Sequence, residues 1–591
     1  MSTGNQRIHP YVLKAQQKLM DGRISRREFL RLASLLGVGA AGAYTLAACG
    51  TPTATPAAAT NAPAATNAPA ATSAPAATSA PAATSAPAAT AAPVSAIKRG
   101  GIMRFGMGLQ AVDHPARLSW TEGADVMRQV FEYLTLTDGE NVTHPYLLDS
   151  WEANDDATLW TLHLKQGIKW TNGDEFTAED VLFNFGEWLN PDTASSILGF
   201  FEGILTLDGV KGVDDYTVAL ELARPKVDVA ENLFHYPALI MHHSFNGDAS
   251  SGANPGTGPY TLDFYRVGGE GAKLTARTDY WQMGEDGKPL PYLDGIEVID
   301  LGSDPNVYTA ALQGGQVDDF AILSEGFLAL RNDDKVKIYP SQSAQCRVLR
   351  MRVDQAPWDD NRVRSALKMC QDRQKIIDQA YFGEAVPGHD THVAPVQADF
   401  SPMEVPAYDP EGAKALLTEA GFGAGLDVSI TVGTAWPDAV AYIETLKEDA
   451  IPGGINITLD VLPGEAYWDV WTETTVGVTP WTHRPLAVML LPLAYIADSE
   501  GKPVPWNESR WVDEEFTTLL EEAQATADLE ARRAIMAKLQ VIQQERGSIG
   551  ISYWQNVWLA VNPAFQNVHG HPTSYHLYNE VWYDPDQDPF K

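Results

Sequence analysis

From about residue 98 onward the sequence predicts a multi-lobed α/β body, and three observations predict it. Nearly five hundred residues keep a mixed globular composition. Short alternating apolar segments recur through them as half-buried strands should, and between them lie segments with helix start and stop signals. The whole chain of 591 residues is 45% hydrophobic and 20% charged, enough to bury a large core and equal to about three to four domain-sized units.

The individual elements follow from local chemistry. Trp160, Leu162 and Leu164 alternate with Thr161, His163 and Lys165, which predicts a strand. Gly167 turns it, and Ile168 and Trp170 resume it. Thr177-Ala-Glu-Asp180 has the form of a capping box ahead of Val181-Leu182-Phe183, so a helix begins there. Asp409-Pro410 sets a cap and a first-turn proline before Ala413, Leu416, Leu417 and Ala420, and Gly421 stops that helix. Val428, Ile430 and Val432 mark a strand that ends shortly before Trp436-Pro437. Asp528 opens a helix with Ile535, Leu539 and Ile542 on one side.

Charge and cysteine content narrow the function classes. Lys and Arg number 42 against 76 Asp and Glu, a formal charge of −34. That balance serves solubility and argues against nucleic acid as a partner. Three cysteines are too few for a disulfide framework or a thiolate metal cage. No HExxH, CxxC, phosphate-cradling glycine loop or G-x-S-x-G elbow occurs.

The front of the chain reads as an address and an anchor. Ser25-Arg26-Arg27-Glu28-Phe29-Leu30 leads into the uncharged run Leu32 to Ala48. This resembles a twin-arginine export signal, and the run is short for a spanning helix of about 20 residues. Leu46-Ala47-Ala48-Cys49 resembles a lipobox. The resemblance implies cleavage after residue 48 and acylation of Cys49, with two or more chains giving firm attachment. Behind Cys49 a hexad of the NAPAAT/SAPAAT type repeats five times from Asn61 to Thr90. Proline at every sixth position and the lack of large apolar residues make this a tether rather than a solenoid. Extended at about 3.1 Å per residue, residues 49–97 reach up to roughly 150 Å.

Five stretches, in order, carry a resemblance to one family. They are Leu147–Phe185, "GTGPYTL" (Gly256–Leu262), "ALQGGQVDDF" (Ala311–Phe320), Pro357–Asp378 and "YDPEGAKALLTEAGF" (Tyr408–Phe422). They resemble the large extracytoplasmic solute-binding proteins of ABC importers, family 5, which includes oligopeptide-, dipeptide- and nickel-binding proteins. The resemblance implies an α/β two-lobed periplasmic-binding-protein-like clamshell of the class II type, with an extra small domain on the first lobe. It implies first-lobe segments at 98–146, 257–345 and 555–591, the small domain at 147–256, and the second lobe at 346–554. It also implies capture of a small solute by closure, delivery to permease subunits, no cofactor and no catalysis. A monomer, tethered outside the cytoplasm, is expected.

In peptide-binding members an Asp in a "W-x-x-D" context pairs with the ligand amine. The comparable stretch here, Thr479–Tyr495, carries His483 and Arg484 instead. A buried arginine favours a planar anion, so Arg484 is the candidate anchor for a ligand carboxylate or similar oxygen-rich group, with a bridge between lobes or a helix cap as the plainer alternative. Trp120, Trp436, Trp481 and Trp554 are candidate cleft walls, whereas Trp151, Trp160 and Trp170 read as packing. His242-His243, on a strand, would face opposite sides and make a poor metal site. Asp359-Asp360 sit at a predicted helix start, where carboxylates meet free backbone N–H groups. The rival function is a surface-anchored hydrolase, glycosidase or peptidase, using cleft carboxylates; a third is a sensory or adhesive module without transport.

Overall fold

The computed structural model describes residues 97–118, 121–498 and 500–591. Arg26, Arg27, Cys49, the tether and Trp120 lie outside the described residues. A 12-stranded mixed sheet forms the frame. Its order is Ile455–Leu462, Leu426–Gly433, Val476–Trp481, Lys337–Met351, Tyr553–Val561, Asp319–Ile322, Ile102–Gly106, Gly295–Ile299, Gly271–Ala276 and Tyr260–Arg266. Two short strands, Ala385–Pro387 and Ile549–Gly550, pair onto the two long central ones.

Those long strands join the two halves of the sheet. Lys337–Gln342 pair with Val561–Asn556, and the register then shifts between Gln342 and Cys346. Beyond the shift, Cys346–Met351 pair with Trp481–Val476. Such an irregularity bends a strand and lets it serve different neighbours along its length. Tyr553–Val561 likewise pairs with Asp319–Ile322 at its far end and with Ala385–Pro387 at its start.

A separate four-stranded antiparallel sheet runs in the order Leu148–Ala153, Leu159–Leu164, Thr217–Glu221 and Val210–Asp214. The expected alternation holds, with Trp160, Leu162 and Leu164 buried. Helix Ala178–Leu189 packs on this sheet through Val181, Phe185 and Trp188. Thr177 is its N-cap, and the Asp180 carboxylate accepts the Thr177 N–H at 3.2 Å, so the capping box is made. Ile168 and Trp170 are buried as expected but do not continue the strand. Gly167 and Gly173, at φ +79° and +93°, reverse the chain on both sides of them.

The helices begin and end where side chains meet free backbone groups. Asp409 accepts the Gly412 N–H at 2.8 Å at the start of Pro410–Glu419, and Gly421 leaves it at φ +94°. Asp528 accepts the Ala531 N–H at 2.8 Å at the start of Leu529–Arg546, which buries Ile535, Leu539 and Ile542. Three large apolar clusters result. The first joins the small sheet to strands Ile102–Gly106 and Gly295–Ile299 and to the C-terminal segment through Tyr575 and Tyr578. The second surrounds Leu349, Leu367, Ile430, Tyr442 and Val478, and the third surrounds Trp481, Leu491, Phe516, Leu539 and Trp554. Each fully buried Leu or Phe in them contributes about 1.5–3 kcal/mol of transfer free energy.

Candidate functional site

The segment 482–485 leaves the sheet at the end of Val476–Trp481, beside the register shift of Lys337–Met351. Its environment is built from both sides of the long strands. The His483 Nδ1 accepts the Ala344 N–H at 3.0 Å, so Nε2 carries the proton and donates to Asn141 Oδ1 at 3.0 Å. Asn141 sits at the tip of the hairpin formed by Thr135–Thr137 and Thr143–Pro145, at φ +63°. Its amide donates to the carbonyls of Val396 (3.0 Å) and Pro485 (2.9 Å). Both ring nitrogens of His483 are therefore committed, and burial pushes its imidazole down to about 3. His483 is placed as a strut between the hairpin and the second half of the sheet. The hairpin approaches the C-terminal segment closely: a Cβ on Gly139 would stand 2.5 Å from the Gly570 carbonyl oxygen.

Arg484 is half-buried, and its Nη1 donates to Thr482 Oγ1 (3.1 Å) and to the His483 carbonyl (2.9 Å). Among the described residues no carboxylate pairs with it; burial lowers its pKa, and the nearby Tyr236 and Tyr575 offset this. Its charge is felt by His235, which burial first and Arg484 second hold down to about 3. His571 lies stacked on Tyr575, ring centres 5.0 Å apart and 9° from parallel. Burial holds His571 down to about 4, and its Nε2 faces the Thr137 carbonyl at 2.9 Å. A pocket of about 10 Å³, room for roughly one water, lies among Val557, Trp558, Gly570, His571, Ser574 and Tyr575. The histidines around Arg484 are thus neutral at pH 7, and among the described residues Arg484 has no carboxylate partner, an arrangement suited to an incoming anion.

The tryptophans divide. Trp481 is buried, and its Nε1 donates to Glu508 Oε1 at 3.0 Å. Trp436 is half-buried, at the start of helix Pro437–Ala450 and beyond the carboxyl end of Leu426–Gly433. Its ring meets Trp468 edge-on at 5.2 Å and Tyr467 at 5.6 Å. The contacts continue from Trp468 to Trp471 (5.5 Å), Trp506 (6.2 Å) and Trp481 (5.7 Å). Trp468, Trp471 and Trp506 were not singled out from the sequence, although "YWDVW" (Tyr467–Trp471) is a dense aromatic signal. Trp554 departs from the expectation of a cleft wall. It is fully buried in the third cluster, because its strand is covered on both faces there. Tyr575 and Arg128 were also missed; with His571 they come to this region only through the return of the C-terminal segment and the turn after helix Thr121–Met127.

Other expected chemistry resolves into structure. His242 and His243 do not lie on a strand, and their rings are 4.0 Å apart rather than on opposite faces. With Asp180 they bring ligand-type atoms within 4.8 Å of one another. Asp180, however, already meets Trp170 Nε1 (3.1 Å), the Thr177 N–H (3.2 Å), the His243 N–H (3.0 Å) and His243 Nδ1 (2.8 Å). Those contacts make it the hub of a capping network. Asp360 caps helix Asn361–Met369 by accepting the Arg362 N–H at 2.8 Å. Cys346 and Cys370 are free and buried, and burial pushes the Cys370 thiol up to about 12.

Comparison with known proteins agrees with this architecture. The profile described as bacterial extracellular solute-binding proteins, family 5, middle, matches residues 142–488. A heme-binding protein A of Haemophilus influenzae is 25% identical over 451 residues, 70% of this chain and 80% of that protein. The dipeptide-binding protein of Escherichia coli is 25% identical over 434 residues, 68% of this chain and 79% of that protein. A glutathione-binding protein of Pectobacterium atrosepticum is 26% identical over 404 residues, 65% and 74% respectively. Among solved structures, HbpA2 of Haemophilus parasuis superposes with a TM-score of 0.70 at 21% identity, covering 82% of this chain and 100% of that one. The oligopeptide-binding protein AppA of Bacillus subtilis, in complex with a nonapeptide, gives a TM-score of 0.57 at 19% identity, covering 82% and 99%.

Proposed function

Because the chain belongs to family 5 of the bacterial extracellular solute-binding proteins, we propose that it captures a peptide-like organic anion for an ABC importer and hands it on unchanged. The observation that carries this reading is Arg484: a half-buried cation beside the long strands, without an acid among the described residues. It stands where peptide-binding relatives are expected to present an acid to an amine. The inverted charge supports an anionic partner, and the dipeptide- and glutathione-binding relatives supply the class, peptide-like solutes. Half-buried Trp436, with Trp468 and Trp506, supplies an aromatic wall that the buried Trp481 backs; His483 positions the segment that carries Arg484.

The body divides, in this reading, into two lobes hinged where Lys337–Met351 and Tyr553–Val561 change partners. The first lobe takes 98–146, 257–345 and 555–591, with the small domain at 147–256, and the second takes 346–554. Closure about the hinge presents a loaded surface to permease subunits. Export through Arg26-Arg27, lipidation at Cys49 and the tether hold a monomer at the outer face of the cell membrane, where it meets both solute and permease. Cys49→Ser should release the protein from membranes into the soluble fraction; persistent membrane association of the variant would remove the anchor from this account.

Mass spectrometry of the solute released by mild denaturation tests the function. An anionic, peptide-like compound recovered intact after incubation is expected. A solute bearing a free amine and no acid, or one converted during incubation, would overturn it.

A further inference from the structure

Hairpin tips are normally wet, and one here holds a buried side chain. Strands Thr135–Thr137 and Thr143–Pro145 pair and turn through 138–142, where Glu140 and Val142 are exposed. Asn141, between them, is 4% exposed. Asp138 shapes the turn by accepting the N–H groups of Glu140 and Val142, both at 2.9 Å. The left-handed backbone at Asn141, φ +63°, is one that asparagine tolerates. The Asn141 amide makes its hydrogen bonds elsewhere.

Those bonds use the whole amide. Its nitrogen donates to the carbonyls of Val396 (3.0 Å) and Pro485 (2.9 Å), and its oxygen accepts the His483 Nε2 proton at 3.0 Å. All three partners belong to 346–554, whereas Asn141 belongs to 98–146. The receiving groups are fixed by bonds of their own. Gln397, buried, donates to the Arg484 carbonyl at 2.8 Å and accepts the Ala394 N–H at 2.7 Å. The Ala344 N–H, 3.0 Å from His483 Nδ1, keeps the proton on Nε2. Two donors and an acceptor therefore meet two acceptors and a donor that are already in place. Ala157 and Val227, from 147–256, share the third apolar cluster with Leu486, Val488 and Leu490, so apolar contact accompanies the polar one.

Resting on the two-lobe reading proposed above, we infer that Asn141 is a latch between the lobes. It docks among Val396, His483 and Pro485 when the lobes close on a solute, and it leaves them when the lobes part. The complete match of donors and acceptors selects one closed arrangement, and in it both chain neighbours of Arg484 are held. Asn141 thereby acts as a positioning residue that sets the dwell time of the solute through closure. Opening lets water replace the three bonds, so the latch biases the equilibrium toward closure without freezing it.

The test compares the purified protein with Asn141→Gly, each loaded with the co-purified solute and freed of it. Glycine keeps the left-handed backbone and removes the amide. Loss of the solute on dilution, followed by its own mass in native mass spectrometry, should be at least tenfold faster in the variant. The association rate should change less than about threefold, because weakened contacts act mainly on dissociation. Amide hydrogen exchange within 394–397 and 482–487 should be slowed by the solute in the parent protein and not in the variant, with strand Leu159–Leu164 exchanging alike in both. If Asn141→Gly does not fold, Asn141→Asp serves: it sets a carboxylate against two carbonyls, and the same changes are expected. An unchanged dissociation rate, or equal slowing of exchange in both proteins, overturns the latch and leaves closure standing. Faster exchange across the whole body of the variant overturns it by showing a merely structural role. Exchange in the parent protein that ignores the solute overturns the latch and two-lobe closure together, and a solute released in converted form overturns the receptor function with it.

Discussion

Arg350, in the long strand Lys337–Met351, is fully buried, Arg484, just past the strand it pairs with, is half-buried, and their surroundings differ. Arg350 is fully buried, donates to Glu508 Oε2 at 3.0 Å through Nε, and reaches the backbone carbonyls of Thr474 and Trp471 through its terminal nitrogens. Glu508 is completed by Thr479 and by Trp481 Nε1. Around Arg484 the same accounting stays open: a neighbouring hydroxyl, its own segment's carbonyl, and no acid among the described residues. A closed network of buried polar groups holds a fold in register. An open one keeps interaction free energy in reserve for a partner that arrives later. The difference separates the part of this molecule that carries load from the part that waits for a ligand.

The largest effect that would break this contrast concerns the closed network. Arg350→Met leaves Glu508 buried without its cation, and the loss of stability should be about 3–5 kcal/mol, read by urea denaturation. A loss below 1 kcal/mol would show that the two sites are not different in kind. Next comes the hairpin strut. Asn141→Ala removes hydrogen bonds to the half-buried Val396 and Pro485 and strands the Nε2 of buried His483, so a loss of about 2 kcal/mol is expected from the same measurement. Affinity for the co-purified solute should fall along with stability in that variant, since the strut also positions Arg484.

Arg484→Ala sharpens the contrast from the other side. Calorimetry with the co-purified solute should show at least a tenfold weaker affinity, about 1.4 kcal/mol, with the melting temperature held or raised because an unpaired cation has been removed. A large fall in melting temperature with unchanged affinity would move Arg484 to the structural side. The smallest effect is in pH. The folded-state values of His483 and His571 are depressed, to about 3 and about 4, so the unfolded chain binds more protons below its ordinary value near 6.5. The stability these histidines contribute is complete above that value and is lost as pH falls toward the folded values. The loss at pH 6 is about 0.8 kcal/mol per histidine. His483→Gln should flatten the slope of stability between pH 7 and 5; an unchanged slope would place the proton uptake elsewhere.

Legibility in the sequence tracked the range of the interactions involved. The strand at Trp160–Leu164, the capping box at Thr177–Asp180 and the helix starts at Asp409 and Asp528 were all readable, because a cap or an alternation is written within a few residues. Arg484 was readable as an oddity, a cation where an acid was expected. Trp554 was not: its exposure depends on which neighbours cover its strand, and the covering residues come from cluster members as distant as Leu491 and Leu539. The relation of His242 to His243 failed because an assumed strand was a turn. Arg128 carried no local signal, since the Tyr575 ring it packs against lies more than four hundred residues later in the chain.

By itself the sequence determined the α/β class, the capped helices, the alternating strands and the family, because each is encoded in short-range spacing or in an ordered set of local motifs. Tertiary structure alone decided which polar groups found partners. A hydrogen bond or ion pair needs two groups within about 3 Å, and here those groups are often hundreds of residues apart. Whether Arg350 is sealed and Arg484 left open is a property of that distant meeting, and no window of sequence contains it.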